Sequence, residues 1–578
     1  MNDVPQKKTW ESLAALFFYS LLSLLFFKEI VLQTHWLGDD FFTQNFPNRY
    51  FAAAEIRSGS FPLWNPFMFS GTPFLADIQT AVLYPFNLIL SLFVKNGELS
   101  YSVLEGQVIF HYILGGFFTY LFLRCLDLDF HSALLGGGIF VFSGYLFTHA
   151  HHTNLIHSVI WLPAIFYCCV KGAKSGPIWL WGIPLLLTMS FFGGHPQITL
   201  FIIYAFALFF LTHPYPGRNR WNLGRRFLIL MLIGGAFILL SSVQILPTVE
   251  FLQHTDRASL SFSDAMKDSL PTPGLLNLFL PDLFSSSYDP WQRWEFRCYT
   301  GIGTLILAVL GIFLRLNATA VFFAALGFLS LVLALGENTF LYSIFYHLIP
   351  GFKYVRVPAR FLFLFTFSLS VLAAYGFHYL CKKVDTNHFQ WSKKKFEVTA
   401  YTGGFLLAGI SIYVFADLPF AEYKNHFAGF FIITTASILT LLAAIRYRAR
   451  FFGIKWIILV IIFLDLFLSR GLFNLMPAEK DFFYNAIHKS PVAQALKDQP
   501  EGTRFLVRYV YPIYSNLGLI YRKSNLWGYN PFMLKDYTGI NVGSPKIASL
   551  LGAKFIELGD AEKFAKTWKD VNVFKIYR

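Results

Sequence analysis

The stretch "LGDDFFTQNFPNRYF", residues 37–51, follows the first apolar segment of the chain and puts Asp39 and Asp40 where a membrane-spanning helix would emerge. The surrounding chain is 578 residues long, 55% hydrophobic and 14% charged. That composition is too apolar for a water-soluble domain and fits an α-helical polytopic membrane protein. Its 68 phenylalanines suit lipid contact and the crevices between helices, so aromatic bulk is not evidence of base stacking. The formal charge of +14 lies in short Lys/Arg clusters between apolar runs. This is the pattern of cytoplasmic loops, and it removes the case for a nucleic-acid partner. Five cysteines (Cys125, Cys168, Cys169, Cys298, Cys381) show no metal-ligand spacing and no even, loop-borne set, which argues against a disulfide framework or a zinc site. The apolar run after Lys7 and Lys8 is long enough to span and has no small-residue cleavage site, so it reads as an anchor.

A span needs roughly 20 apolar residues. Such segments are expected at 12–32, 103–123, 133–149, 155–171, 177–192, 197–212, 227–247, 301–315, 318–335, 360–381, 398–416, 426–445 and 455–470, a bundle of about 13 transmembrane helices. "LYPFNLILSLF" (83–93) is short and Pro-interrupted and reads as an interfacial or re-entrant piece. With the N-terminus cytoplasmic, the basic loops "KGAK", "HPYPGRNRWNLGRR", "KKVDTNHFQWSKKK" and "RYRARFFGIK" all fall inside. The loops 33–102, 248–300 and 336–359 fall outside, and Asp39 and Asp40 then lie at the outer membrane face. After residue 470 the charges become regular and short helical and strand-like pieces alternate. Residues 1–470 thus form a transmembrane domain and 471–578 a small extracytoplasmic α/β domain. Ser490-Pro491 and Ser544-Pro545 read as helix starts, and "TRFLVRYV", "AKFIEL" and "VNVFKIYR" as strands. No internal repeat points to an inverted-repeat transporter.

Two adjacent acids at the mouth of a bundle raise each other's pKa unless a cation or metal offsets the repulsion. One of them can serve as a general base toward an acceptor hydroxyl while a second polar group or a divalent ion steadies a leaving phosphate. The alternative is a pair of solvated acids that keeps the loop outside. The rest of the loop, "FPLWNPFMFSGTPFLADIQTAVLYPFN" (61–87) with Asp77 and Gln79, is too polar to span and too aromatic to be a plain linker. It suits a cleft for a ligand with a lipid tail and a polar head. Arg356 and Arg360 flank Pro358 just before a span. They are candidates for binding a phosphate, with interfacial snorkelling as the alternative; Lys353 is a third candidate. His195 and Gln197 in "GGHPQ" either line a sugar pocket or belong to a helix-breaking turn. His149, His151 and His152 have no third acidic or thiol ligand close by in sequence and read as an ordinary polar loop. Glu250, Asp256, Asp282 and Glu295 decorate the second large outer loop unranked, and Arg293 and Arg297 are expected to pair with acids such as Glu295.

The run Asp40-x-x-x-Gln44, then "GSFPLWNP" (59–66), "FSGTP" (69–73) and "QTAVLYP" (79–85), resembles the opening of the YfhO family of bacterial polytopic membrane proteins. "GGHPQ" (193–197), "LLNLFLPDLF" (275–284), "YTGIGTLILAVLG" (299–311), "LALGENTFLYSIFYHLIPGFKYVRVPARF" (333–361), "GYNPF" (528–532) and "LLGAKFI" (550–556) follow in the family's order. The resemblance implies a GT-C-like fold and a glycosyltransferase that moves a monosaccharide from a polyprenyl-phosphate carrier to an extracytoplasmic acceptor. That acceptor would be a teichoic acid, another cell-envelope glycan or a lipid, at the bacterial cytoplasmic membrane. The resemblance makes Asp40 the catalytic acid, with Asp39 its neighbouring candidate and either one the place for a divalent cation (Mg or Mn) if one is used. Gln44, Asp77, Gln79, His195, Gln197, Arg356 and Arg360 become substrate-binding candidates. Family members usually run on beyond the point where this chain stops. A transporter or flippase for lipid-linked sugars is the alternative, and a non-catalytic scaffold is a third reading. A transporter needs polar groups at mid-membrane and broken helices in matched halves.

Overall fold

The computed structural model describes residues 3–213, 222–255, 261–281, 290–314, 317–385, 453–470, 475–477, 496, 499–506, 509–510, 513–514, 516 and 518–556. Helices occupy every expected segment from 12–32 to 360–381, and also 455–470. The expected spans 398–416 and 426–445, the Ser490-Pro491 start, the "VNVFKIYR" strand and the acids Asp256 and Asp282 lie outside the described residues. Among those described, six helices are long and apolar enough to cross a membrane: Lys8–Phe26, Tyr101–Cys125, Phe130–Thr148, Thr153–Ser175, Leu223–Gln253 and Pro358–Lys382. Four apolar helices are shorter, Pro177–Phe192, Pro196–Thr212, Ile302–Leu314 and Ala318–Ala334.

Helix α1 (Tyr101–Cys125) packs on α2 (Phe130–Val141), and the latter packs on the central helix α6 (Leu362–Asp385). Against α6 lie α4 (Ile302–Leu314) and α5 (Ala318–Ala334). The α4–α6 crossing is backbone-close. A Cβ on Gly376 would stand 1.8 Å from the Leu307 carbonyl oxygen, and one on Gly311 would stand 2.2 Å from that of Leu372. Small residues at a crossing let two helices gain van der Waals contact where lipid supplies no hydrophobic drive. Helix α3 (Leu223–Gln253) behaves differently. Leu239, Leu240, Val243 and Leu246 are exposed along it, which in an apolar helix of 31 residues means a face turned to lipid.

The 33–102 loop is itself folded. His35–Leu37 pairs antiparallel with Leu475–Pro477, a π-helical turn covers Phe41–Asn45 and an α-helix covers Phe46–Arg57. The 83–93 segment forms only Pro85–Ile89 and a short 3-10 turn, too short to cross. In the described part of the C-terminal region, Arg504–Leu506 lies between Ser524–Asn525 and Ala553–Ile556 in a parallel three-stranded sheet. Pro545 opens the helix that follows Ser544, whose side chain makes no cap hydrogen bond. The 33–102 loop docks on the edge of this sheet. Met68 bridges to Asn525, the Asn525 amide donates to the Phe67 carbonyl at 3.1 Å and the Ser524 hydroxyl donates to the Pro66 carbonyl at 3.0 Å. Phe51, Phe67, Phe74, Val82 and Leu519 share one apolar cluster across that seam.

Candidate active site

A cavity of about 730 Å³ opens between these parts. The first loop gives it Asp40, Gln44 and Gln79, the turn before the Pro196–Thr212 helix gives His195, and that helix gives Gln197. The 351–360 loop gives Arg356 and Arg360. Phe191, Phe237, Ile245, Val249 and Leu252 line an apolar wall, four of them from α3. Two of the sequence candidates stand behind this lining. Asp77 Oδ1 accepts from the Gln79 amide at 2.9 Å, and Asp39 sits beside Asp40, one third of its side chain exposed. Lys353 and Glu250 are exposed and not part of the lining.

The acid wall is built on strain. Asp39 has φ 54°, in the left-handed region that a residue with a Cβ rarely adopts, and Ala81 has φ 45°. The turn at Asp39 sends the two neighbouring carboxylates to different partners. Asp40 Oδ2 meets His152 Nε2 at 3.2 Å, and Asp39 Oδ2 lies 3.9 Å from His151 Nε2. Burial pulls the Asp40 carboxyl upward, but the hydrogen bonds from His152 and Tyr529 and the charge of Arg360 overcome it and hold it below the usual range. Burial, reinforced by the Asp40 charge, pushes Asp39 up to about 6. The pair therefore splits into an ionised acid and one that titrates near neutrality, the arrangement that lets two like groups take different tasks. His152 lines the cavity beside Asp40, and its Nδ1 is buried with no hydrogen-bond partner among the described residues.

The basic wall is also strained, with Val357 at φ 60° between Arg356 and Pro358. Arg360 donates to Glu295 Oε1 from Nε at 3.1 Å and from Nη2 at 2.9 Å, and from Nη1 to Gln197 at 3.3 Å. His149 Nε2 lies 3.2 Å from the other Glu295 oxygen. Burial alone would raise the Glu295 carboxyl; Arg360 and His149 hold it far below the normal range instead. Gln197 reaches back from Nε2 to the Arg356 carbonyl at 2.5 Å. The Arg356 guanidinium itself, half-buried, has no hydrogen bond or ion pair within 4 Å among the described residues. His195 is half-buried, and desolvation, then the charge of Arg360, pushes it well below its ordinary pKa, so it lines the cavity as a neutral ring.

Two expectations give way here. The histidines 149, 151 and 152 are not an ordinary polar loop: each faces an acid more than 100 residues away in sequence, which is why sequence spacing found no ligand beside them. Glu295 pairs with Arg360, not with Arg293 or Arg297, and Arg297 instead donates to the carbonyls of Ser469 and Arg470. Other parts of the site carried no sequence signal. Arg49 is fully buried and donates to the Gln79 carbonyl at 3.4 Å, to the Thr80 carbonyl and to Asn154 Oδ1 at 2.5 Å, fixing the 79–80 turn to the Thr153–Val159 helix. Burial lowers it to about 9. Gln44 Nε2 donates to Gln79 Oε1 at 2.9 Å, tying the two candidates to one another. As a metal site the arrangement is poor. Asp39 and Asp40 turn to separate histidines, and no group of three His, Cys, Asp or Glu converges among the described residues.

The helical membrane bundle holds a charged cavity lined by the 33–102 loop, the 351–360 loop and the 529–532 turn. The fold is similar to ArnT from Cupriavidus metallidurans bound to undecaprenyl phosphate, at 11% identity over 98% of this chain and 95% of that one, with a TM-score of 0.53. It also aligns with the archaeal oligosaccharyltransferase AglB from Archaeoglobus fulgidus in complex with an inhibitory peptide and a dolichol-phosphate, at 12% identity over 95% and 69% of the two chains, with a TM-score of 0.48. No curated protein matches the chain. Residues 79–500 match the family described as bacterial membrane protein YfhO, and the chain belongs to that family.

Proposed function

We propose that this protein is a GT-C-type glycosyltransferase that takes a monosaccharide from a polyprenyl-phosphate carrier and gives it to a hydroxyl of an envelope glycan, such as a teichoic acid, or of a lipid outside the cytoplasmic membrane. The observation that carries this reading is the two-sided cavity. An ionised Asp40 and an Arg356 guanidinium without a partner among the described residues line the same space as an apolar wall whose main helix, α3, turns its other face to lipid. A ligand with a charged head and a long apolar tail matches that lining. The ArnT structure, of the same fold, holds undecaprenyl phosphate, which supports the carrier class.

In this reading the acceptor oxygen attacks the anomeric carbon as Asp40 takes its proton, and the bond from that carbon to the carrier phosphate breaks. The leaving phosphate keeps the bonding electrons and is held by Arg356 through paired hydrogen bonds. Arg360 lends positive potential but is already engaged with Glu295. A single displacement inverts the anomeric configuration. Asp39 or Asp40 would offer a divalent cation, with His152, two protein ligands at most, so no step is assigned to one. The transporter alternative gains nothing from the buried acids inside the helices. Glu105 accepts from the Leu37 amide at 2.9 Å, and Asp465 accepts from the Tyr299 hydroxyl at 2.7 Å and the Ile302 amide at 3.2 Å. Both are engaged in holding chain segments together.

The test is transfer of labelled sugar by the purified full chain in lipid, from a panel of undecaprenyl-phosphate monosaccharides to isolated envelope glycans and lipids. Inverting transfer is expected. No transfer from any donor, with the protein instead moving intact lipid-linked sugar across the bilayer, would replace this reading with the transporter one.

A further inference from the structure

The motif "GYNPF" (528–532) lies in the C-terminal region, far in sequence from every group discussed above, yet Tyr529, Asn530, Pro531 and Phe532 all line the cavity. They belong to a strap, residues 525–535, that is tied down at both ends. At its start Asn525 makes the docking contacts to the 33–102 loop already described. At its end Leu534 bridges antiparallel to Thr255, and the Lys535 amide donates to the His254 carbonyl at 2.9 Å, just beyond the end of α3. Between the two ends Asn516 holds the turn, accepting from the Tyr529 amide at 2.7 Å and donating to the Tyr529 carbonyl at 2.8 Å. Asn530 Oδ1 accepts from the Phe532 amide at 2.8 Å, which fixes the side chain and the direction of its nitrogen.

That nitrogen donates to Asp77 Oδ2 at 2.5 Å. The other Asp77 oxygen accepts from the Gln79 amide at 2.9 Å, and Gln79 Oε1 accepts from Gln44 Nε2 at 2.9 Å. Asp77 is 2% exposed, so this carboxylate is a buried rivet between the strap and the turn that carries Gln79. The same turn is held from below, where Asn154 Nδ2 donates to the Gln79 carbonyl at 2.8 Å. With Gln79 Oε1 and Gln44 Nε2 engaged with each other, Gln79 Nε2 and Gln44 Oε1 have no hydrogen-bond partner among the described residues. Both residues line the cavity. A fixed donor beside a fixed acceptor matches hydroxyl groups, each of which gives one hydrogen bond and takes others.

We propose that Gln44 and Gln79 form a carboxamide pair that binds hydroxyls of the carrier's sugar, and that Asn530, acting through Asp77, is the residue that positions the pair. The proposal rests on the lipid-linked-sugar reading of this cavity. A charge-assisted hydrogen bond is both shorter and stronger than a neutral one, so the Asn530–Asp77 clasp sets the turn more firmly than packing of the exposed strap would.

The experiment uses the full chain in lipid and measures binding of undecaprenyl phosphate, bare and carrying each of a panel of monosaccharides. The ratio of the two Kd values isolates the contribution of the sugar. Wild type is expected to bind at least one sugar-bearing carrier about tenfold more tightly than the bare one, the worth of one or two such hydrogen bonds. Gln79→Ala and Asn530→Asp, the latter setting two carboxylates against each other, are each expected to abolish that preference and leave the Kd of the bare carrier unchanged. Combining Asp77→Asn with Asn530→Asp reverses the polarity of the clasp: the carboxamide at 77 still accepts from the Gln79 amide and now donates to the carboxylate at 530. This double variant is expected to regain both the preference and the Tm that Asn530→Asp loses. A wild type that binds both carriers equally, or neither, overturns the proposal. So does an Asn530→Asp variant that weakens both carriers alike, or a double variant that does not recover the preference. Sugar transfer is scored separately: a clasp-dependent preference without transfer removes the transferase reading and leaves the positioning role of Asn530 standing.

Discussion

The acid wall at 39–40 and the basic wall at 356–360 enter the same cavity from segments more than 300 residues apart in the chain, and they handle charge in opposite ways. Both are held by a left-handed residue that carries a side chain, Asp39 in one and Val357 in the other, each at a cost of about 1–3 kcal/mol that the surrounding fold must over-determine. The acid wall keeps its deeper charge active: Asp40 is ionised, hydrogen-bonded by His152 and still part of the lining. The basic wall neutralises its deeper charge, closing Arg360 onto Glu295 through two hydrogen bonds, and leaves the shallower Arg356 open. The difference assigns the work. In the transferase reading proposed above, the buried member on one side meets substrate, while on the other the buried member is scaffold and its neighbour meets the phosphate.

The sharpest way to break this contrast is at the base. Asp40→Asn is expected to lower kcat by about 10²–10⁴-fold, the range for losing a general base, with the protein still folded. Asp39→Asn should stay within a few-fold of wild type, and initial rates of labelled transfer that reverse the two would move the base to Asp39. Next in size, Glu295→Gln leaves Arg360 buried without its counter-charge. A loss of roughly 3–5 kcal/mol is expected, read as a lower denaturation midpoint in detergent; a variant as stable as wild type would mean that Arg360 does not depend on Glu295.

Arg356 and Arg360 should part company in kinetics. Arg356→Gln is expected to raise donor KM by about 10–100-fold, the worth of hydrogen bonds to a charged group, with little change in Tm. Arg360→Gln should lower Tm first, and equal KM effects from both would make them a phosphate pair.

The smallest effect lies in the acid pair's own titration. Asp39 is raised from 3.8 to about 6 by folding, so the folded state holds this proton more tightly than the unfolded chain does. Stability from this group is therefore unaffected well below pH 4, falls as pH climbs from about 4 to about 6 and stays reduced above that. Asp39→Asn should remove this decline, and its Tm advantage over wild type should grow across the same window. An advantage independent of pH would point to backbone relief at φ 54° alone.

Much of the bundle was legible because membrane insertion writes itself into composition. A run of apolar residues must satisfy its own backbone as a helix, and the helices fall on the expected segments wherever both are described. Polar residues in so apolar a chain also stand out, so Asp40, Gln44, Gln79, Gln197, Arg356 and Arg360 could be noticed one by one, and they do line one cavity. Their partners were invisible. His152, Glu295, Arg49 and Asn530 give no sign in the sequence of their role until the fold brings them within hydrogen-bond range of a group far away in sequence.

The sequence alone thus determined that the chain is a helical membrane protein and that the polar loops between its apolar segments hold what is chemically unusual about it, because hydropathy and periodicity are local properties. Only the tertiary structure decided which acid is ionised, which arginine is without a partner among the described residues and that the C-terminal turn reaches the cavity. Those depend on burial and on distances of about 3 Å between residues 65 to 453 positions apart, where Coulomb and hydrogen-bond energies change steeply and sequence order says nothing.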